Sequence, residues 1–414
     1  MSASARLFTP ILISGCIIVM TSFALRASFG LFQIPIAEEF NWLRSEFSMA
    51  IAIQNLAWGI GQPIFAALAE KFGNRKAVAL GAVVYALGLV LSSSAVTPEA
   101  HQLLEVLVGF GIAGTGFGII LGVVGRAASE EHRSISLGIV TAAGSAGQIV
   151  GPPFANILLQ SMPWQSVFIV FAAVILLAMF ALPFLKAEEP VASKAELEQS
   201  MGAVVTGALK DPNFAMIFSG FFSCGFQLAF VTAHFPAFIT EVCATIPPDS
   251  MIRAVGVNST TALGAFSLAL IGFMNIVGTI SAGALGKNFS KKYLLSMIYV
   301  GRTVAAAAFI MVPMTPTTVV LFSLTMGGLW LATVPLTSGL VAQIYGLRYM
   351  GTLYGIVFLS HQLGSFLGVW LGGYMYDLYG SYDLVWWVGV GAGAFSALIH
   401  LPVKEQPKAL PVPA

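Results

Sequence analysis

Two arginines, Arg26 and Arg302, stand inside long apolar stretches of the chain. Holding an arginine near the centre of a bilayer costs about 2.5–3.5 kcal/mol on insertion scales, so one that stays there faces a cavity or a partner. A guanidinium offers a planar fork of donors that fits a carboxylate in a bidentate way and stays charged. Polar side chains accompany them: Gln54 and Asn55, His361 and Gln362, and Gln227 with His234, whose seven-residue spacing puts both on one helical face. These types offer reversible binding of an anion. Because imidazole titrates near neutrality, His234 or His361 is also a candidate proton carrier, unless the proton rides on the bound carboxylate itself. Covalent chemistry has no support, since no nucleophile stands beside a base. The histidines lack the neighbouring ligands of a metal site, and Cys16, Cys224 and Cys243 lack paired spacing. No catalytic residue, metal or cofactor is expected.

The elements that must position these residues are membrane helices. Of 414 residues 57% are hydrophobic and 9% charged, against about 25% charged in a soluble domain. The net charge of +1 without a basic run excludes nucleic-acid partners. Apolar windows of the roughly 20 residues that span a bilayer recur twelve times. They cover about 9–34, 46–69, 77–96, 102–126, 135–160, 165–185, 213–240, 260–285, 293–312, 317–343, 350–376 and 384–402. Backbone groups in hydrocarbon must be satisfied within the segment, so these runs are helices, not strands. The first, from Leu7 to about Ile34, is too long for a signal-peptide core and is expected to remain as a membrane helix. No Asp or Glu falls at mid-membrane on this reading, because Glu105, Glu241 and Asp377 lie near expected helix ends.

The expected fold is therefore an all-α polytopic membrane protein with twelve transmembrane helices in two pseudo-symmetric six-helix bundles. An N-terminal bundle over 1–186 is followed by a cytoplasmic linker over 187–211, helical from about Ala195 to Leu209. A C-terminal bundle over 212–403 and a short tail over 404–414 complete the chain. Cytoplasmic loops retain Lys and Arg, and fifteen of the nineteen basic residues fall on one side, with Arg44 and Arg253 on the other and Arg26 and Arg302 inside spans. Both termini are expected in the cytoplasm and the protein in the inner membrane. A constant offset of 217 points to duplication: Gly61, Leu68, Phe72 and Arg75 map onto Gly278, Leu285, Phe289 and Lys292. Gly138, Gly147 and Gly151 map likewise onto Gly355, Gly364 and Gly368. Glycines at such intervals let helices pack closely.

The run from Gly61 to Lys76 resembles the loop signature of the major facilitator superfamily. Glu70, Gly73, Arg75 and Lys76 occupy the positions that, in that family, latch the cytoplasmic ends of neighbouring helices. The second-half counterpart, Leu285 to Lys292, lacks the acid and the turn glycine, which implies a weaker latch. Gly138, Gly147, Gly151 and Pro152 resemble the family's antiporter signature, with Ala155 and Asn156 in place of its final glycines. The runs Arg26 to Trp42 and Ser360 to Tyr376 look most like bacterial relatives of monocarboxylate and oxalate/formate transporters. That subgroup's membrane arginine in the eighth helix is missing here, with Asn275 and Thr279 in its neighbourhood.

The resemblance implies a cavity lined by helices one, four, seven and ten, a peripheral ninth helix carrying Arg302, and a monomer in the lipid bilayer. It points to proton-coupled, alternating-access uptake of a small organic anion held by Arg26. The competing expectation is proton-coupled export of an amphipathic compound, followed by a transporter-like sensor.

Overall fold

A computed structural model describes residues 7–42, 44–185 and 200–407. Among them twelve helical spans are long and apolar enough to cross a membrane. They are α1 (Pro10–Ala27), α2 (Arg44–Phe72), α3 (Asn74–Ser92), α4 (Pro98–Thr115 and Phe117–Ala127), α5 (Glu130–Ser161) and α6 (Trp164–Leu177). The second half contributes α7 (Pro212–Val242), α8 (Thr260–Asn288), α9 (Lys291–Met311), α10 (Pro316–Leu329 and Thr333–Tyr345), α11 (Met350–Tyr379) and α12 (Asp383–His400). In the connection between the halves a helix runs over Met201–Leu209. The expected helix at 195–199, the boundary at 186/187, and Arg6, Lys186, Lys194 and Lys408 lie outside the described residues. The face on which α1 begins and α12 ends is called the linker face below.

The first helix of each three-helix unit starts the same way, at Thr9-Pro10, Thr97-Pro98, Asp211-Pro212 and Thr315-Pro316. The capping oxygen accepts a first-turn amide at 3.2 Å in α1, 3.3 Å in α4, 3.1 Å in α7 and 3.2 Å in α10. The following proline sits where the helix has no amide bond to lose. This start places α4 four residues earlier than the apolar window alone, so Glu105 lies two turns inside it.

The paired glycines lie where helices cross. Added Cβ atoms at Gly147 and Gly151 of α5 would stand 2.1 and 2.0 Å from the carbonyl oxygens of Met20 and Ala24 in α1. At Gly364 and Gly368 of α11 they would stand 2.2 and 2.4 Å from those of Phe222 and Phe226 in α7. The two crossings are copies of one another, but Met20 and Ala24 reach Phe222 and Phe226 by adding 202, not 217. The difference, 217 − 202 = 15 residues, arises before α8 and mostly in α7 itself, which runs 31 residues against 18 in α1. A second pair joins the halves: Gly138 packs on Thr279 of α8, and Gly355 on Pro63 of α2. Pro152 falls inside α5 without ending it.

Gly151→Leu is expected to destabilise the fold by at least about 2 kcal/mol, because backbone on both sides cannot yield to the added volume. Gly202→Leu is the control, since nothing lies within 4 Å of its added Cβ. Thermal unfolding of the two purified variants should separate them clearly.

Candidate functional site

Arg26 occupies the last turn of α1, where the helix gives way at Ser28 to a 3-10 turn over Phe29–Phe32. It thus sits nearer the face opposite the linker than a continuous helix to 34 would place it. Its Nη2 donates to Asn55 Oδ1 at 2.8 Å, and Cζ lies 4.8 Å from the Trp58 ring centre. Its buried Nε has no partner. Asn55 and Trp58 are three residues apart on α2 and so share a face. Trp58 Nε1 donates to Gln62 Oε1 at 2.7 Å, which fixes the ring over the guanidinium.

Across the junction α11 presents Phe358, His361 and Gln362. Phe358 meets Trp58 at 4.9 Å between ring centres and stacks on His361 at 5.0 Å. The Gln362 side chain lies on Gly59, where an added Cβ would meet it at 2.5 Å. Gln362 Oε1 lies 3.1 Å from His361 Nδ1 and accepts from Ser365 at 3.0 Å. His361 Nε2 and Gln362 Nε2 are buried without partners. A cation from one half and two unspent polar groups from the other thus flank an aromatic pair that bridges the halves, an arrangement able to hold a small anion.

The other expected residues are placed elsewhere. Gln54 turns away from its neighbour Asn55 and donates to Glu105 Oε2 at 2.6 Å. Gln227 donates to the Gly389 carbonyl on α12 at 2.7 Å, and His234 bonds the Val369 carbonyl on α11 at 2.9 Å. Both face into their own bundle, not the junction. Asn275 accepts from the Leu331 amide at 2.9 Å and donates to Ser145 at 2.7 Å. Arg302 belongs to a helix expected to be peripheral, yet its side chain is 0% exposed. The helix is at the rim, but position 302 is on its inner side, where the guanidinium donates to Cys224 and the Trp330 carbonyl.

Glu105, which the apolar window puts near a helix end, lies two turns inside α4 and is buried. It is 0% exposed, with Oε1 3.7 Å from His101 Nε2. Tyr85 stands within electrostatic reach of both Glu105 and Arg26. The Thr97-Pro98 start was the signal for it, and the three-residue spacing from Asn55 was the signal for Trp58.

At the linker face Glu70 accepts from the Thr352 amide at 3.1 Å and from the Thr352 hydroxyl at the start of α11. Its basic neighbour is Arg126 at 3.9 Å, which also donates to Asn74. Arg75 and Lys76 are exposed. Gly73, at φ 98°, makes the turn between α2 and α3 in a conformation that other residues rarely adopt.

Two related six-helix bundles, each with a broken inner helix, and a polar cluster at their junction define a polytopic membrane transporter. The chain belongs to the Major Facilitator Superfamily, whose family model matches residues 14–368. It is 27% identical over 410 residues to the MFS-type transporter YcxA of Bacillus subtilis (strain 168), covering 94% of this chain and 93% of that one. It is 27% identical over 392 residues to monocarboxylate transporter 13 of Bos taurus, covering 92% and 86%. The structure of the proton:xylose symporter XylE bound to 6-bromo-6-deoxy-D-glucose has the same fold, with a TM-score of 0.71 at 15% identity over 97% of this chain and 98% of that one. The protein is a transporter and not an enzyme.

Proposed function

We propose that this transporter carries a small monocarboxylate-like anion together with a proton by alternating access, with Arg26 holding the anionic group. The observation that carries this reading is the Arg26 guanidinium, which is fixed by Asn55 and Trp58 yet keeps a buried Nε open beside the junction of the halves. His361 and Gln362 complete the site from α11. Gln227, His234, Asn275 and Arg302 act by holding helices in place. The likeness to the Bos taurus monocarboxylate transporter supports the substrate class.

Uptake of an anion against an inside-negative potential costs about 2.3 kcal/mol per 100 mV for each charge, and a proton moving with it removes that cost. Glu105, paired with His101 and bonded by Gln54, is the group we assign to the proton, in place of His234 or His361. The termini and linker lie in the cytoplasm and the protein works as a monomer in the inner membrane.

The test is uptake of labelled carboxylates into proteoliposomes under an imposed proton gradient. Arg26→Ala should reduce uptake at least 100-fold, and Arg26→Lys should retain part of it at a higher KM. If a folded Arg26→Ala protein transports like the native one, the anion assignment fails. If amphipathic compounds move outward and no carboxylate moves, the export reading replaces it.

A further inference from the structure

The inner helix of each half is broken, α4 at Gly116 and α10 over Trp330–Ala332, and each break is held by the same three-helix joint. In the first half Ser22 of α1 bonds Thr115 at 2.8 Å, and the Tyr85 hydroxyl of α3 donates to the Ser22 carbonyl at 3.5 Å. In the second half Cys224 of α7 bonds Thr333 at 3.3 Å, and Arg302 Nη2 of α9 donates to the Cys224 carbonyl at 3.4 Å. The members correspond by the offsets already found, since 22 + 202 = 224 and 85 + 217 = 302. Thr115 and Thr333 correspond within one residue, since 115 + 217 = 332.

The two joints differ in one respect. Where the first half has a phenol making a single long bond, the second has a guanidinium making three contacts. Arg302 Nη1 also donates to Cys224 Sγ at 3.3 Å and to the Trp330 carbonyl at 3.5 Å, a carbonyl released by the break itself. The Leu331 amide beside it is taken by Asn275. No carboxylate lies within ion-pair distance of Arg302 among the described residues, so these backbone groups and the thiol are what hold the cation in place. At the first break, by contrast, Gln62 Nε2 is buried without a partner against Gly118, an unused donor beside a glycine bend.

We infer that Arg302 is a positioning residue: it pins the break in α10 to α7, making the C-terminal joint the fixed one and leaving α4 to bend at Gly116 as the halves alternate. This rests on the alternating-access reading for its role in transport, but not for its structural content. The guanidinium holds the Trp330 carbonyl on one side of the α10 break while Cys224, which it also bonds, holds Thr333 on the other, so bending there would have to break several contacts at once. Bending α4 at Gly116 has only the Ser22–Thr115 bond and one long Tyr85 contact to loosen, beside a Gln62 Nε2 that has no bond to lose.

Hydrogen exchange of the purified wild-type protein, which needs no substrate, tests this. Amides in 114–118 should exchange at least tenfold faster than those in 329–334. Arg302→Tyr, which installs the first-half residue, should bring 329–334 to within about threefold of 114–118, and Arg302→Lys should fall between. In transport, Arg302→Tyr should lower the maximal rate at least tenfold with little change in KM, because the residue touches no substrate. Equal exchange of the two segments in the wild type overturns the inference whether or not any variant folds. So does an Arg302→Tyr protein whose 329–334 segment remains protected, or one whose KM rises with its maximal rate intact. Failure of the anion assignment would leave the exchange pattern unchanged, so the two readings fail separately.

Discussion

Glu105→Gln should abolish gradient-driven accumulation while leaving counterflow of labelled substrate within about threefold of the native rate. Glutamine has nearly the same shape and can still bond Gln54, so packing between α2 and α4 is retained. What it lacks is an oxygen that takes up and releases a proton. In the native protein that oxygen is buried without a hydrogen-bond partner, 3.7 Å from His101 Nε2, and so is shielded from lipid and water. Tyr85 stands within electrostatic reach of both Glu105 and Arg26. An accumulated ratio near one, with exchange intact, is the expected signature in proteoliposomes. Undiminished accumulation in Glu105→Gln would move the proton to the substrate or to His361.

The helices were legible because hydrocarbon forces each into an uninterrupted apolar run, and because a capping oxygen followed by proline marks four of their starts. The breaks in α4 and α10 were not, since Gly116 is one glycine among many and residues Trp330 to Ala332 look like ordinary helix. Half of the site could be read. Arg26 announces itself as a charge in an apolar run, but nothing in the sequence separates Gln54 from its neighbour Asn55. One residue is a rotation of about 100° on a helix, enough to send Gln54 to Glu105 and Asn55 to Arg26. Gln227 and His234 do share a face, yet spacing gives a face without saying which neighbour it meets. In a soluble helix the apolar stripe would settle that. In a membrane helix the lipid side is as apolar as the packed side, and on α7 it is Ala229, packed with Ala52 and Val369, that marks the junction.

The other large effect is expected at the linker face. Glu70→Ala should shift the conformational equilibrium by roughly two to three orders of magnitude away from the state closed on that side. Glu70 is 4% exposed and Arg126 10%, so the acid holds two donors of Thr352 and a cation in a setting largely shielded from water. Removing one partner of a buried charged cluster costs about 3–5 kcal/mol, because the groups left behind stay desolvated, and each 1.4 kcal/mol is a factor of ten. All of that loss falls on the closed state, since the contact joins α2 to α11 across the halves. The second half carries a counterpart with the signs exchanged: 70 + 217 = 287, and Lys287 pairs with Glu131 at the start of α5 at 3.2 Å. That pair is 46% and 68% exposed, so water and salt screen it. Lys287→Ala should therefore change the equilibrium less than about fivefold. Labelling of a cysteine placed on α11 at the linker face by a membrane-impermeant thiol reagent reads both variants. Faster labelling in Glu70→Ala, with Lys287→Ala close to wild type, is the expected order, and equal labelling of the two would remove Glu70 from the latch.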